Sequence, residues 1–146
     1  MNILLFSSLF PNAEQPFHGI FVENRLRHLL AESGWQAQVV APVPWFPFKG
    51  RAFGAYGRFA RVPAREERHG LSICHPRYPV IPKLGMSVAP RLLYLGARAA
   101  VRRAVQSGVP VDLIDAHYFY PDGVAAAMLA REFALPLTIT GRGTDL

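Results

Sequence analysis

Asp112-Leu113-Ile114-Asp115-Ala116-His117-Tyr118-Phe119-Tyr120-Pro121-Asp122-Gly123 is the stretch whose reading decides the fold. Val111 to His117 is short and mostly apolar, as in a strand buried on both faces. It ends in a histidine, and Tyr118–Tyr120 then lead to Pro121 and Asp122. Proline lacks an N–H that the first turn could not satisfy anyway, and a carboxylate suits the positive end of a helix. The stretch therefore reads as strand, loop and helix start. In an open α/β sheet, ligands bind just beyond the carboxyl ends of the strands, where His117 stands.

Working outward, the same grammar recurs. Ile3–Phe6 is another continuous apolar run, followed by a loop marked by Pro11-Asn12 and Gln15-Pro16. Val22, Leu26, Leu29 and Ser33 then fall at helical spacing, with Glu23, Arg27 and Glu32 on the other faces, and Gly34 suits the stop. Residues 36–41 read as a second strand and 70–78 as a third. Pro90 opens a helix over about 91–107 with the stripe Leu93, Ala97, Ala100, Val101 and Ala104. The helix after Asp122 has Val124, Ala125, Met128 and Leu129 as its apolar side, and residues 137–140 form a fifth strand. The order β-α-β-(excursion)-β-α-β-α-β predicts a doubly wound α/β fold with a mainly parallel, Rossmann-like sheet. Strand-to-loop junctions near residues 8, 41, 117 and 140 form one rim.

Residues 42–68 show no periodicity. Trp45, Phe46, Phe48, Phe53, Tyr56 and Phe59 alternate with Lys49, Arg51, Arg58, Arg61, Arg65 and Arg68. A loop this long in a compact domain is usually functional or mobile. The mixture suits either a surface excursion or a lipid interface with aromatic and arginine side chains at headgroup level. No recognised nucleic-acid motif accompanies it, so nucleic acid is not expected as a partner. Arg91, Arg98 and Arg102 share one side of their helix, as a solvated basic face or a membrane-surface face.

The chain has 146 residues, room for one domain, 1–146, and not two. Its net charge is +6, and all its basic residues but Lys49 and Lys83 are arginine. Arginine favours forked contacts with phosphate or carboxylate, so an anionic ligand or an anionic membrane surface is worth testing. The single Cys74 cannot form an internal disulfide and reads as a buried, inert thiol. The N-terminus has no basic n-region, and no run approaches the ~20 apolar residues of a membrane span. A cytoplasmic protein is expected, with peripheral contact at the inner face of the membrane left open. The last strand enters a glycine-rich loop with no helix after it, so the expectation is a truncated N-terminal piece.

Chemistry has few other anchors. Phe17-His18-Gly19 precedes the first helix, and a helix N-terminus beside a glycine suits an anion. Neither G-x-G-x-x-G nor a P-loop supports it. The five histidines show no metal-ligand spacing, so no metal is expected, and no nucleophile elbow follows a strand. His117 reads equally as a strand-capping histidine or as a ligand-facing group. Arg142 and Asp145 read as a surface ion pair or as charged groups at the rim.

Four blocks together resemble the N-terminal domain of GT-B glycosyltransferases of the group 1, or GT4, family. They are Gly19–Pro42, Val62–Tyr78, with its His75-Pro76-Arg77-Tyr78 ending, Asp112–His117 and Leu137–Asp145. The resemblance implies the N-terminal, acceptor-side half of an enzyme. That enzyme would transfer a sugar, with retention of configuration, from a nucleotide-diphosphate sugar to an acceptor. A C-terminal nucleotide-binding domain with an E-x7-E motif would be absent here, leaving the piece inactive alone. It implies His117 beside the transferred sugar, and His18 and Gly19 at the donor diphosphate. Tyr118, Arg142, Gly143, Thr144 and Asp145 would face the cleft, and neither a metal nor a cofactor would be needed. Many relatives carry a second glycine where His18 stands. The alternative from the residues alone is a stand-alone α/β ligand-binding module or a peripheral membrane adaptor.

Overall fold

The computed structural model describes residues 1–47, 49–80 and 87–141, with the backbone alone for Arg51 and Ala55. Strand β1 (Asn2–Phe6) leads to helix α1 (Ile20–Ser33) and strand β2 (Gln36–Val40). Then come β3 (Val43–Pro44), a 3-10 turn at Arg51–Phe53, α2 (Gly54–Arg61), β4 (Arg65–Arg68), β5 (Leu71–Cys74) and β6 (Arg77–Tyr78). Helix α3 (Ala89–Gln106), β7 (Leu113–His117), α4 (Val124–Phe133) and β8 (Leu137–Thr140) complete the described chain. The main sheet runs β4-β5-β2-β1-β7-β8; only the edge pair β4–β5 is antiparallel. This is the doubly wound, mainly parallel sheet the apolar runs call for.

Adjacent residues of β1 serve opposite cores. Leu5 packs with Val22 and Leu26 of α1, with Val39 of β2 and with Ile73 of β5. Leu4 and Phe6 pack with Leu93, Ala97 and Val101 of α3, and with Ala125 and Leu129 of α4. The expected stripe of α3 is therefore its buried face. Closeness matters there too: a Cβ on Gly96 would sit 2.5 Å from the Arg77 carbonyl oxygen.

Several expectations need correction. The stretch 42–68 is not an irregular loop, since it holds β3, α2 and β4. Glycines 54 and 57 weaken its helical signal, and β4 is an edge strand of charged residues, which carries no apolar run. The third strand divides at His75-Pro76: β5 joins the main sheet, and β6 pairs with β3 in a separate two-stranded sheet. Helix α4 starts at Val124; Pro121 and Asp122 lie in a tight turn over Phe119–Gly123. Glu23 is buried, with Arg68 donating from Nε at 2.7 Å. In α1, Leu29 is half-buried and Ser33 exposed; in α4, Val124 is exposed and Met128 half-buried, while Ala126 and Ala130 take the core positions. Cys74 is half-buried.

Candidate active-site rim

Hydrogen bonds past the strand ends bring the four junctions onto one edge. The Ser7 N–H donates to Val40 O, Ala41 N–H to Cys74 O and Tyr118 N–H to Thr140 O, at 3.2, 2.8 and 2.9 Å. The loops after β1, β2, β7 and β8 thus leave side by side. His117 ends β7 in register with Thr140 of β8. It is buried, 1% exposed, although histidine is polar. A buried polar ring needs partners. One is Asp115, whose Oδ2 lies 3.4 Å from His117 Nε2. Asp115 is in turn held by Thr138, whose hydroxyl donates to Oδ1 at 2.9 Å.

Ser8 ties this rim to the first loop. Its N–H and its hydroxyl donate to the Asp122 carboxylate at 2.8 and 2.9 Å. Its carbonyl oxygen lies 3.2 Å from His18 Nε2. Asp122, which the sequence placed at a helix start, is a buried acceptor for the loop after β1. Gly19 follows His18 with φ 63°, and a Cβ there would sit 2.5 Å from the Leu9 carbonyl oxygen. Only glycine fits so close an approach at positive φ. Part of this loop's backbone serves itself: His18 N–H donates to Gln15 O and Ile20 N–H to Phe17 O, at 3.1 and 3.3 Å. Tyr118 is half-buried with φ 79°. Arg142, Gly143, Thr144 and Asp145 lie outside the described residues.

A second buried histidine was not singled out from sequence. His75, just past β5, has Nδ1 2.9 Å from Ala41 O and Nε2 2.9 Å from Glu66 Oε2. Arg77 bridges backward, donating to the carbonyl oxygens of His75, Phe59 and Val62. Burial pushes the Arg77 guanidinium below its ordinary value. Burial, and then the charge of Asp122, push the Tyr78 phenol up to about 12. Asp115 and Ser8 had a legible signal, since one lies two residues before His117 on a strand and the other ends a strand. Asp122 and His75 depend on contacts between distant segments. Among the described residues, no group of three or more His, Cys, Asp or Glu is placed to hold a metal ion.

No family model matches the chain. The chain is 29% identical, over 148 aligned positions spanning all of it, to a protein of Bacillus subtilis (strain 168) that bears the name teichuronic acid biosynthesis glycosyltransferase TuaC. The likeness supports a glycosyltransferase N-terminal domain. The mostly parallel α/β sheet is consistent with a Rossmann-like half of a GT-B fold. The chain spans 37% of that relative's length. No helix among the described residues is long and apolar enough to cross a membrane.

Proposed function

We propose that the chain is the acceptor-side half of a retaining glycosyltransferase that moves a sugar from a nucleotide-diphosphate donor to an acceptor. The observation that carries this is His117, buried where β7 ends, on the rim shared with the His18–Gly19 loop. In such a transfer the bond from the anomeric carbon to the donor diphosphate breaks and a bond to the acceptor oxygen forms. Negative charge grows on the departing diphosphate. Donors aimed at growing charge lower the barrier. In this reading the α1 N-terminus, Gly19 and His18 face the diphosphate and need no metal or cofactor, while His117 bonds the sugar. Tyr118 and residues 142–145 line the cleft, whose other wall comes from a second domain. The protein works in the cytoplasm.

The test uses the full-length protein and a panel of nucleotide-diphosphate sugars. Transfer or hydrolysis of one of them is expected, falling by roughly a hundredfold or more in His117→Ala. Unchanged turnover in that variant would remove His117 from the site. Turnover of no nucleotide sugar would overturn the reading.

A second reading concerns location. Trp45, Phe53 and Tyr56 are exposed around α2, alongside Lys49 and Arg58, and the rings of Phe53 and Tyr56 pack on Phe46. Exposed aromatics beside basic side chains suit an anionic bilayer surface. On α3, by contrast, Arg98 and Arg102 donate to Glu132 of α4 at 2.8 and 3.4 Å. These observations favour α2 over α3 for a peripheral contact in this reading.

A further inference from the structure

Helix α1 starts at the rim and runs back toward the opposite edge of the sheet, where β5 begins. Asn24, Arg27 and His28 lie at i, i+3 and i+4 along it and so share one face. Across from them is the hairpin turn between β4 and β5. Its two central residues, His69 and Gly70, have φ of 50° and 79°. A two-residue turn of this kind requires positive φ at both positions and commonly takes Asn-Gly. Here the first position carries an imidazole. Between helix and turn lies a groove of about 420 Å³, lined by Asn24, Arg27, His28 and His69 together with the apolar Leu30 and Leu71. That volume lies within the range of small-molecule pockets.

No carboxylate is among the lining residues. Glu23, next to Asn24 on α1, is buried and already paired with Arg68 at 2.7 Å. Its Oε1 lies 3.8 Å from His69 Nε2, beyond hydrogen-bond distance. Arg27 and His28 make no hydrogen bond or ion pair among the described residues. An arginine fork, two imidazoles and an amide thus line a groove with no anion of its own.

We propose that this groove binds a phosphomonoester whose organic part rests on Leu30 and Leu71. Such a head carries nearly two negative charges close to neutral pH and three strong acceptor oxygens. Arginine offers it forked donors. Each imidazole adds at least one N–H whether neutral or protonated, and the Asn24 amide adds two. A carboxylate, with two oxygens and one charge, would leave part of this donor set unused. A free metabolite and a lipid headgroup present the same phosphate chemistry. Nothing here depends on sugar transfer at the rim.

The rings of His28 and His69 make the groove observable, because their Cε1–H signals can be followed by NMR. At about pH 7.5, where a phosphomonoester is largely dianionic, phenyl phosphate is expected to move both signals along one saturating curve. It is expected to bind more tightly than inorganic phosphate or benzoate at the same ionic strength. Arg27→Gln is expected to weaken it roughly tenfold. Arg25→Gln, exposed on α1 but outside the groove, is expected to leave it unchanged. An unmoved His75 signal in both variants checks the fold. Shifts that never saturate, or that weaken equally in the two variants, show only a basic surface and overturn the site. Benzoate binding as tightly as phenyl phosphate overturns the phosphate class. Sedimentation with vesicles containing phosphatidic acid separates the two sources. Sedimentation lost in Arg27→Gln, with no saturable response to phenyl phosphate, assigns the head to a lipid. A saturable response with sedimentation indifferent to Arg27→Gln assigns it to a free metabolite. No Arg27-dependent response to either form overturns the proposal.

Discussion

Two histidines, His75 and His117, stand in comparable places with different bonding. Each lies at or just past the end of a parallel strand, each is buried to 1% exposure, and each has a carboxylate partner. Both ring nitrogens of His75 are held at 2.9 Å, one by Ala41 O and one by Glu66. Glu66 is on the antiparallel edge strand β4, and Ala41 follows β2, so the ring fastens the edge of the sheet to its interior. His117 meets a carboxylate of its own strand, at the longer distance of 3.4 Å. Burial and a carboxylate partner therefore do not mark a functional histidine. What sets His75 apart among the described contacts is that both of its partners, from separate segments, sit at full hydrogen-bond distance.

That comparison breaks first under mutation. His75→Ala removes two short contacts and leaves a cavity, so a loss of about 3 kcal/mol in unfolding free energy is expected. His117→Ala is expected to cost about half as much, while acting mainly on turnover. Urea titrations of both variants check it, and equal losses would erase the distinction.

Tyr78 sharpens it, because Asp122, which holds the loop after β1, also acts on this β6 phenol. The folded phenol is raised to about 12 from 10.0. Between those values the folded chain keeps a proton that the unfolded chain loses. Stability therefore falls as pH rises through this window, by about 2 kcal/mol at its upper end. Tyr78→Phe is expected to remove this fall, read as the difference between pH–stability curves of variant and wild type. Identical curves would separate Tyr78 from the rim.

The smallest effect concerns the outer surface. Replacing Trp45 and Tyr56 together by alanine is expected to weaken sedimentation with anionic vesicles severalfold, and Arg98→Ala to leave it unchanged. Binding that followed Arg98 and not the aromatics would move the contact to α3.

Much of the fold was legible. The strands expected at residues 3–6 and 111–117 become β1 and β7, and the stripe from Leu93 to Ala104 becomes a buried helix face, because burial on both sides of a parallel sheet requires such runs. Glu23 was misread because a charged side chain between apolar positions looks solvent-facing until Arg68 arrives from β4. The Arg98 and Arg102 face keeps its solvent exposure, but its partner Glu132, contributed by another helix, could not be named from sequence. In the site, His117, His18 and Gly19 could be named from strand and helix ends, but their partners could not.

The sequence by itself determined the strands β1, β2, β7 and β8, the apolar face of α3 and where His117 falls along its strand, because these follow from local periodicity. Only the tertiary structure decided that Ser8 joins Asp122 to the His18 loop, that Thr138 aims Asp115, and that His75 belongs to the scaffold. Those facts depend on strand order and register, which bring together residues up to 114 positions apart. No local pattern encodes the meeting of two such segments.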